Sequence, residues 1–179
     1  GWALSGEQTD PDTTAMAIQA LAPYYEDAGV KAAVEAALDR LSSMQNEDGS
    51  FTSWASINSE SCSQVIVALC ALGTDPHKDS RFIRNGKSVV DALCSFSVEG
   101  GGFCHQSEGG RNAMATEQGY YAMTAYFRLL EGKSFLYDMS DLWEDPTEDP
   151  TQAPSEDPTE PPTQAPTEDP TEPPTQEPS

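Results

Sequence analysis

The chain of 179 residues carries 30 acidic against nine basic side chains, a net charge of −21, and its composition changes sharply near Trp143. Residues 144–179 hold 11 of the 14 prolines and 11 of the 30 acidic residues, with no Lys, Arg or aromatic side chain, so only the first part can bury a core. That part keeps nineteen acidic against nine basic residues, a net of −10, which argues against nucleic acid and anionic membrane surfaces and for a neutral or cationic partner.

In chain order, residues 1–11 read as a loop, and Asp10-Pro11-Asp12 places Asp or Thr at the N-cap of a helix over 12–25. Its face carries Met16, Ile18, Leu21 and many alanines, and Pro23 kinks or stops it. Val30 to Met44 has apolar residues three and four apart (Val30, Ala33, Val34, Ala37, Leu38, Leu41), the stripe of an outer helix with one wet side. Asn46-Glu47-Asp48-Gly49 is a turn. The span 60–72 is apolar nearly all round, as a fully enclosed helix is, and Gly73 ends it. Residues 74–82 form a polar connection, 85–96 a second outer helix, 99–111 a glycine-rich loop and 113–131 the last long helix. Helices 12–25, 60–72 and 113–131 are expected to be inner and more buried than 30–44 and 85–96. No run is apolar over the length of a membrane span, so membrane insertion is not expected.

Two stretches recur. Asp39 to Phe51 lies over Asp91 to Phe103 without a gap, matching Asp39/Asp91, Leu41/Leu93, Ser43/Ser95, Glu47/Glu99, Gly49/Gly101 and Phe51/Phe103, a repeat of about fifty residues. The helix that follows each marker turn also recurs, with Gln64 over Gln118 and Ala68-Leu69 over Ala122-Met123. Ala20-Leu21 lies over Ala68-Leu69, with Gly1-Trp2 ahead of this first copy. The chain thus starts inside a repeat, and upstream repeats or domains are expected as partners.

Gln45-x-x-x-Gly49-x-Phe51 after an apolar helix resembles the Gln-Trp repeat of squalene and other terpene cyclases, with Phe in place of Trp. Asp12-Thr-Thr-Ala-Met-Ala-Ile-Gln-Ala-Leu is similar to inner-helix segments of the same superfamily, which includes protein prenyltransferase β subunits, thioester domains and cobalamin carriers. The resemblance implies an all-α fold, a partial α/α toroid over residues 1–135, whose five helices fall short of a closed ring. A connector over 136–143 and a disordered tail complete the expected organisation. The tail is three twelve-residue units, 144–155, 156–167 and 168–179, reaching about 110 Å if extended as polyproline II. Spacers of this kind resemble those of secreted or wall-attached bacterial proteins, so an extracellular location is expected.

Asp10-Pro-Asp12-Thr-Thr-Ala resembles the acid motif of class II terpene cyclases. Asp12 falls where the family has its protonating acid, but Thr13 replaces the neighbouring Asp, and the other reading of Asp12 is a helix cap. Glu60-Ser-Cys62 resembles the prenyltransferase zinc pair, but no His stands on the last helix to complete it, since His105 is in the loop and His77 in a connection. Neither a metal nor another cofactor is therefore expected. Ser5-Gly-Glu-Gln8 has Ser where a thioester needs Cys, and no Gly-x-Ser-x-Gly, P-loop or dinucleotide fingerprint occurs.

Inner-helix N-termini that converge on one mouth would gather Asp10, Asp12, Asn58, Glu60 and Glu117 near Trp54, Tyr120 and Tyr121, a set suited to a sugar, a corrinoid or a cation. The alternative is that the carboxylates cap helices and the tyrosines are core. The expected function is a non-catalytic binding or adhesion module taking a small molecule, glycan or protein, with a cyclase-like or prenyltransferase-like enzyme as the alternative. Cys62 and Cys70, about 12 Å apart on one helix, cannot bridge each other. Cys94 and Cys104 are either bridged across the marker loop or, like the others, buried thiols.

Overall fold

The computed structural model describes residues 1–142; the expected tail units at 144–179 lie outside the described residues. The described chain is mostly helical, with two small hairpins that the all-α expectation omits. Helix α1 (Pro11–Leu21) is capped by Asp10, whose Oδ1 accepts from the amides of Asp12 and Thr13, with Pro11 at the first helical position. Asp10 is therefore the cap, and Asp12 sits inside the first turn. Pro23 has no amide to continue the ladder, and the chain tightens into a 3₁₀ turn at Ala22–Tyr24 rather than helix to residue 25.

Helix α2 (Ala28–Met44) is capped by Asp27 and buries Val34, Ala37, Leu38 and Leu41, the stripe its sequence spacing gives. Helix α3 (Ser59–Ala71) is capped by Asn58, and helix α4 (Val89–Ser95) by a Ser88/Asp91 capping box. Asn112 caps helix α5 (Ala113–Leu130). The three caps Asp10, Asn58 and Asn112 are equivalent positions of the repeat.

Helix α3 is the centre of the fold, packed by α1, α5 and α4, while α2 packs on α1. It buries eleven of its thirteen residues. Val65, Ile66, Val67 and Leu69 are enclosed, each worth about 1.5–3 kcal/mol of apolar burial. The expected contrast between inner and outer helices holds for α3 and fails for α5. Helix α5 buries only Ala115, Gly119, Ala122, Ala125 and Arg128 of eighteen residues, whereas α4 buries four of seven. Small side chains on one face let α5 approach α3 closely, and its other face leaves Met114, Tyr120, Phe127 and Leu130 exposed.

The marker repeat is a repeat of hydrogen bonds. In the first turn Gly49 N–H donates to Asn46 O and Asn46 N–H to Ser50 O; in the second, Gly101 N–H donates to Val98 O and Val98 N–H to Gly102 O. Single bridges close both, Gln45 to Phe51 and Ser97 to Phe103. Two of the repeated aromatics, Trp2 and Phe103, are fixed to the helix that follows. Thr14 Oγ1 accepts from Trp2 N–H at 2.9 Å and donates to Trp2 O at 3.1 Å. Thr116 treats Phe103 the same way, so Trp2 at the chain start takes the place of the later phenylalanines.

Two antiparallel hairpins stand where a loop and the start of a helix are expected. Strands β1 (Thr52–Ser53) and β2 (Ser56–Ile57) are joined by Trp54-Ala55, and β3 (Ile83–Arg84) and β4 (Lys87–Ser88) by Asn85-Gly86. All four loop residues have positive φ, at 50° and 64° for Trp54 and Ala55 and 50° and 76° for Asn85 and Gly86, the signature of a type I′ turn. Asn-Gly suits that geometry, and it moves the start of α4 from the expected residue 85 to Val89. The second hairpin docks on the C-terminal end of α2, where Arg84 donates to the Ser42 carbonyl.

Order continues beyond the expected boundary at residue 135. Leu136 packs on the core, and Arg128 donates to Ser134 O at 3.0 Å and pairs with Asp141. All four cysteines are free: Cys62, Cys70 and Cys104 are buried, and Cys94 is exposed. The Cys94–Cys104 bridge is not formed, because the Cys104 thiol turns inward and donates to Phe96 O. The buried-thiol reading fails at Cys94, which lies on the outer helix α4.

Candidate functional site

The first turns of α1 and α3, the β1–β2 hairpin, the loop at 105–106 and the start of α5 enclose an open cleft of about 380 Å³, within the usual range for small-molecule sites. Its floor follows the repeat. Asp12, Glu60 and Met114 are the second residues of α1, α3 and α5, and Met16, Gln64 and Gln118 stand one turn further on; all six line the cleft.

Glu60 is buried and holds the loop over it. Its two carboxylate oxygens lie 2.9 and 2.8 Å from His105 Nδ1, and Ser59 Oγ, which donates to Cys104 O at 2.8 Å, lies 3.2 Å from Oε2. Ser59 N–H donates to His105 O. With the carboxylate accepting at Nδ1, the half-exposed imidazole keeps Nε2 unbonded among the described residues.

Asp12 contributes the other carboxyl. Its Oδ1 is buried and has no hydrogen-bond partner, and burial raises its pKa above the ordinary carboxylate value, with the charges of Asp10 and Glu60 adding to the rise. The hydroxyls of Ser61 and Ser53 pull the other way. Both are engaged elsewhere, Ser61 donating to Asn58 Oδ1 at 2.9 Å and Ser53 to Asp10 Oδ2 at 2.5 Å.

Trp54 forms the rim. It is 80% exposed and sits at a left-handed backbone position that disfavours side chains other than Gly, Asn and Asp. Asn85-Gly86 makes the same turn without that strain, so an exposed tryptophan held at φ 50° beside a cleft calls for a functional explanation.

Of the expected site residues, Asp12, Trp54, Asn58 and Glu60 line this cleft. Asp10 lies just beside it, its carboxylate taken by the α1 cap and Ser53. Glu117 is exposed on α5 away from the lining. Tyr120 stacks edge-on against Phe103 at 5.9 Å, and the half-buried Tyr121 bonds the Gln64 amide beneath the floor, so neither tyrosine lines the cleft. The corrected set adds Met16, Ser53, Ser56, Gln64, His105, Gln106, Met114 and Gln118. Gln64 and Gln118 were visible as a repeat pair; His105 had no sequence signal linking it to Glu60, 45 positions earlier.

The zinc-like pair Glu60-Ser-Cys62 does not form a pair in space. Cys62 is fully buried, its thiol pushed up to about 12 by that burial, while Glu60 faces the cleft. Among the described residues no group of three or more His, Cys, Asp or Glu side chains is placed to hold a metal ion. No described helix is long and apolar enough to cross a membrane. No family model, curated protein or solved structure matches the chain.

Proposed function

We propose that residues 1–135 are a ligand-binding module, built as part of an α/α toroid of the terpene-cyclase and prenyltransferase kind, in a secreted or surface-attached bacterial protein. One observation carries the binding reading: residues from three repeat copies meet at a single open cleft whose carboxyl acceptor is unpaired and whose rim is a strained, exposed tryptophan. A pocket maintained only for stability would leave neither an orphaned buried acceptor nor an aromatic ring in a turn that disfavours it.

Support for the toroid reading comes from the threefold recurrence of cap and cleft-lining residue along α1, α3 and α5, and from the aromatic anchor repeated on α1 and α5. The enzyme alternative draws on Asp12, a carboxyl whose burial favours the protonated form. The cleft around it is open, and water there would capture a carbocation before it could cyclise. Titration of the chain with a panel of small sugars and amines, followed by amide and indole NMR shifts, tests the binding reading. The expected result is saturable shifts centred on Trp54 and on the first turns of α1 and α3. Shifts scattered over the surface, or none, would remove it.

A further inference from the structure

The cleft's polar groups are partly spent on one another. Among its donors, Gln64 Nε2 bonds Gln118 Oε1 and Tyr121, Asn58 Nδ2 bonds Ser56 O at 3.2 Å, Gln106 Nε2 bonds Ser56 Oγ at 2.7 Å, and the Ser53 hydroxyl bonds Asp10. The buried acceptor without a protein partner is Asp12 Oδ1, on a lining residue. No Lys or Arg lines the cleft, and the one basic group there, His105, is held against Glu60. An ammonium group donates three times, accepts nothing and brings the missing positive charge.

The apolar part of the cleft suits what such a group is carried on. Trp54 presents an indole to the opening, a surface that attracts cations, and Met16 and Met114 flank the floor with flexible thioethers. Met16 and Gln64 also line an adjoining depression of about 350 Å³ that runs to Phe135 and Tyr137, space for an alkyl stem.

We infer that the cleft binds a primary ammonium group on an unbranched alkyl stem, the chemistry of a peptide lysine side chain or of a free diamine, with the nitrogen at Asp12 Oδ1 and the stem between Trp54 and Met16. This rests on the reading of the chain as a binding module and names the ligand class of that same cleft. A guanidinium suits it less, because its planar fork uses paired acceptors and the Asp12 carboxyl offers one orphaned oxygen.

The test is a calorimetric and NMR titration of the full chain with Nα-acetyl-lysine methylamide, cadaverine, the norleucine analogue of the first, and methyl glucoside. The lysine derivative and cadaverine are expected to bind, and the tighter of the two identifies peptide or free diamine as the source. The norleucine analogue, which keeps the stem without the charge, is expected to bind at least about ten-fold more weakly, a difference of about 1.4 kcal/mol. Asp12→Asn and Trp54→Ala should each weaken the amines several-fold. Trp54 is mostly solvent-exposed, so its removal leaves the fold in place, which circular dichroism verifies. Equal binding of the lysine and norleucine compounds, or amine binding indifferent to both substitutions, overturns the inference. Methyl glucoside binding at Trp54 in place of the amines overturns the ligand class and leaves the binding module standing. No binding by any of the four overturns both.

Discussion

The hydroxyl of Thr116 accepts from the amide of Phe103 at 3.0 Å and donates to its carbonyl at 3.2 Å, fixing the end of the second marker turn to the first turn of α5. Thr14 makes the same pair of bonds with Trp2. Replacing Thr116 with valine keeps the shape and leaves both backbone groups of Phe103 without the hydroxyl. The expected loss is about 2 kcal/mol, the sum of two ordinary hydrogen bonds, read as a lower urea midpoint with unchanged slope. An unaltered midpoint would mean that the staple holds nothing.

The sign of a substitution at Gly119 is set by packing. Glycine inside an exposed helix is normally improved by alanine by about 1 kcal/mol. At position 119 the added Cβ would lie 2.3 Å from the Phe103 ring, and the ring is enclosed by the marker turn and α5. Gly119→Ala should therefore destabilise, by about 1–3 kcal/mol from forced repacking. Thermal melting of the two forms decides it, and a rise in midpoint would contradict the close approach of α5 to Phe103.

The thirteen-residue marker was readable because two of its matches are backbone requirements: Gly49 and Gly101 sit at equivalent positive φ, and Phe51 and Phe103 at equivalent bridges. Asn85-Gly86 was equally readable as a hairpin turn, but the apolar run of α4 hid it, since Val89 to Phe96 continues backward as a helix pattern if the turn is ignored. Trp54-Ala55 could not be read, because its residues oppose the geometry they adopt. Within the site, Asp12 and Glu60 followed from convergent helix starts. The Glu60–His105 pair depends on where the second marker loop lands, which no local pattern encodes.

The two type I′ turns make an internal comparison. Substituting Trp54→Asn with Ala55→Gly copies Asn85-Gly86 and removes two strained residues, and should stabilise the domain by about 1–3 kcal/mol. The same double variant should lose the amine binding assigned to Trp54. Higher stability with full binding would separate the strain from function.

Asp12 gives a pH dependence opposite to that of a paired carboxylate. Its folded pKa is raised above the ordinary carboxylate value by burial, so the folded state holds the proton longer than the unfolded one. Below the unfolded pKa both states are protonated and no penalty exists. As pH rises toward the raised folded value the unfolded state ionises first, and stability is lost; above it the full penalty remains. Relative to Asp12→Asn, which cannot ionise, the wild type should therefore be least stable at neutral pH and recover as pH falls toward the unfolded value. Asp10→Ala should behave differently, costing about 1 kcal/mol through the lost α1 cap. Parallel stability curves for wild type and Asp12→Asn from acid to neutral pH would show that the Asp12 carboxyl is not buried.

The two marker glycines share a backbone conformation and differ in surroundings, so they separate strain from collision. Gly49 has φ 86° and Gly101 φ 91°, where alanine costs about 1–2 kcal/mol from its own Cβ. At Gly101 the nearest atom to that Cβ is the Tyr120 hydroxyl at 3.4 Å, an ordinary contact with an exposed side chain that can move. At Gly49 it is the Ser88 carbonyl oxygen at 2.7 Å, and Lys87 O follows at 3.2 Å. Those are backbone atoms of β4, and Ser88 also caps α4 through Asp91, so they cannot retreat without disturbing the cap. Gly101→Ala should thus show the conformational cost alone. Gly49→Ala should exceed it by a further 1 kcal/mol or so, since displacing a packed hairpin falls within the usual range for overpacking, about 1–3 kcal/mol. Gly49→Ala with Gly86→Ala, which loosens the same hairpin at its turn, should be less destabilising than the sum of the two singles, because the second change frees the strand that the first must push aside. Equal costs at positions 49 and 101, or strict additivity with position 86, would mean that the second hairpin is not packed on the first marker turn.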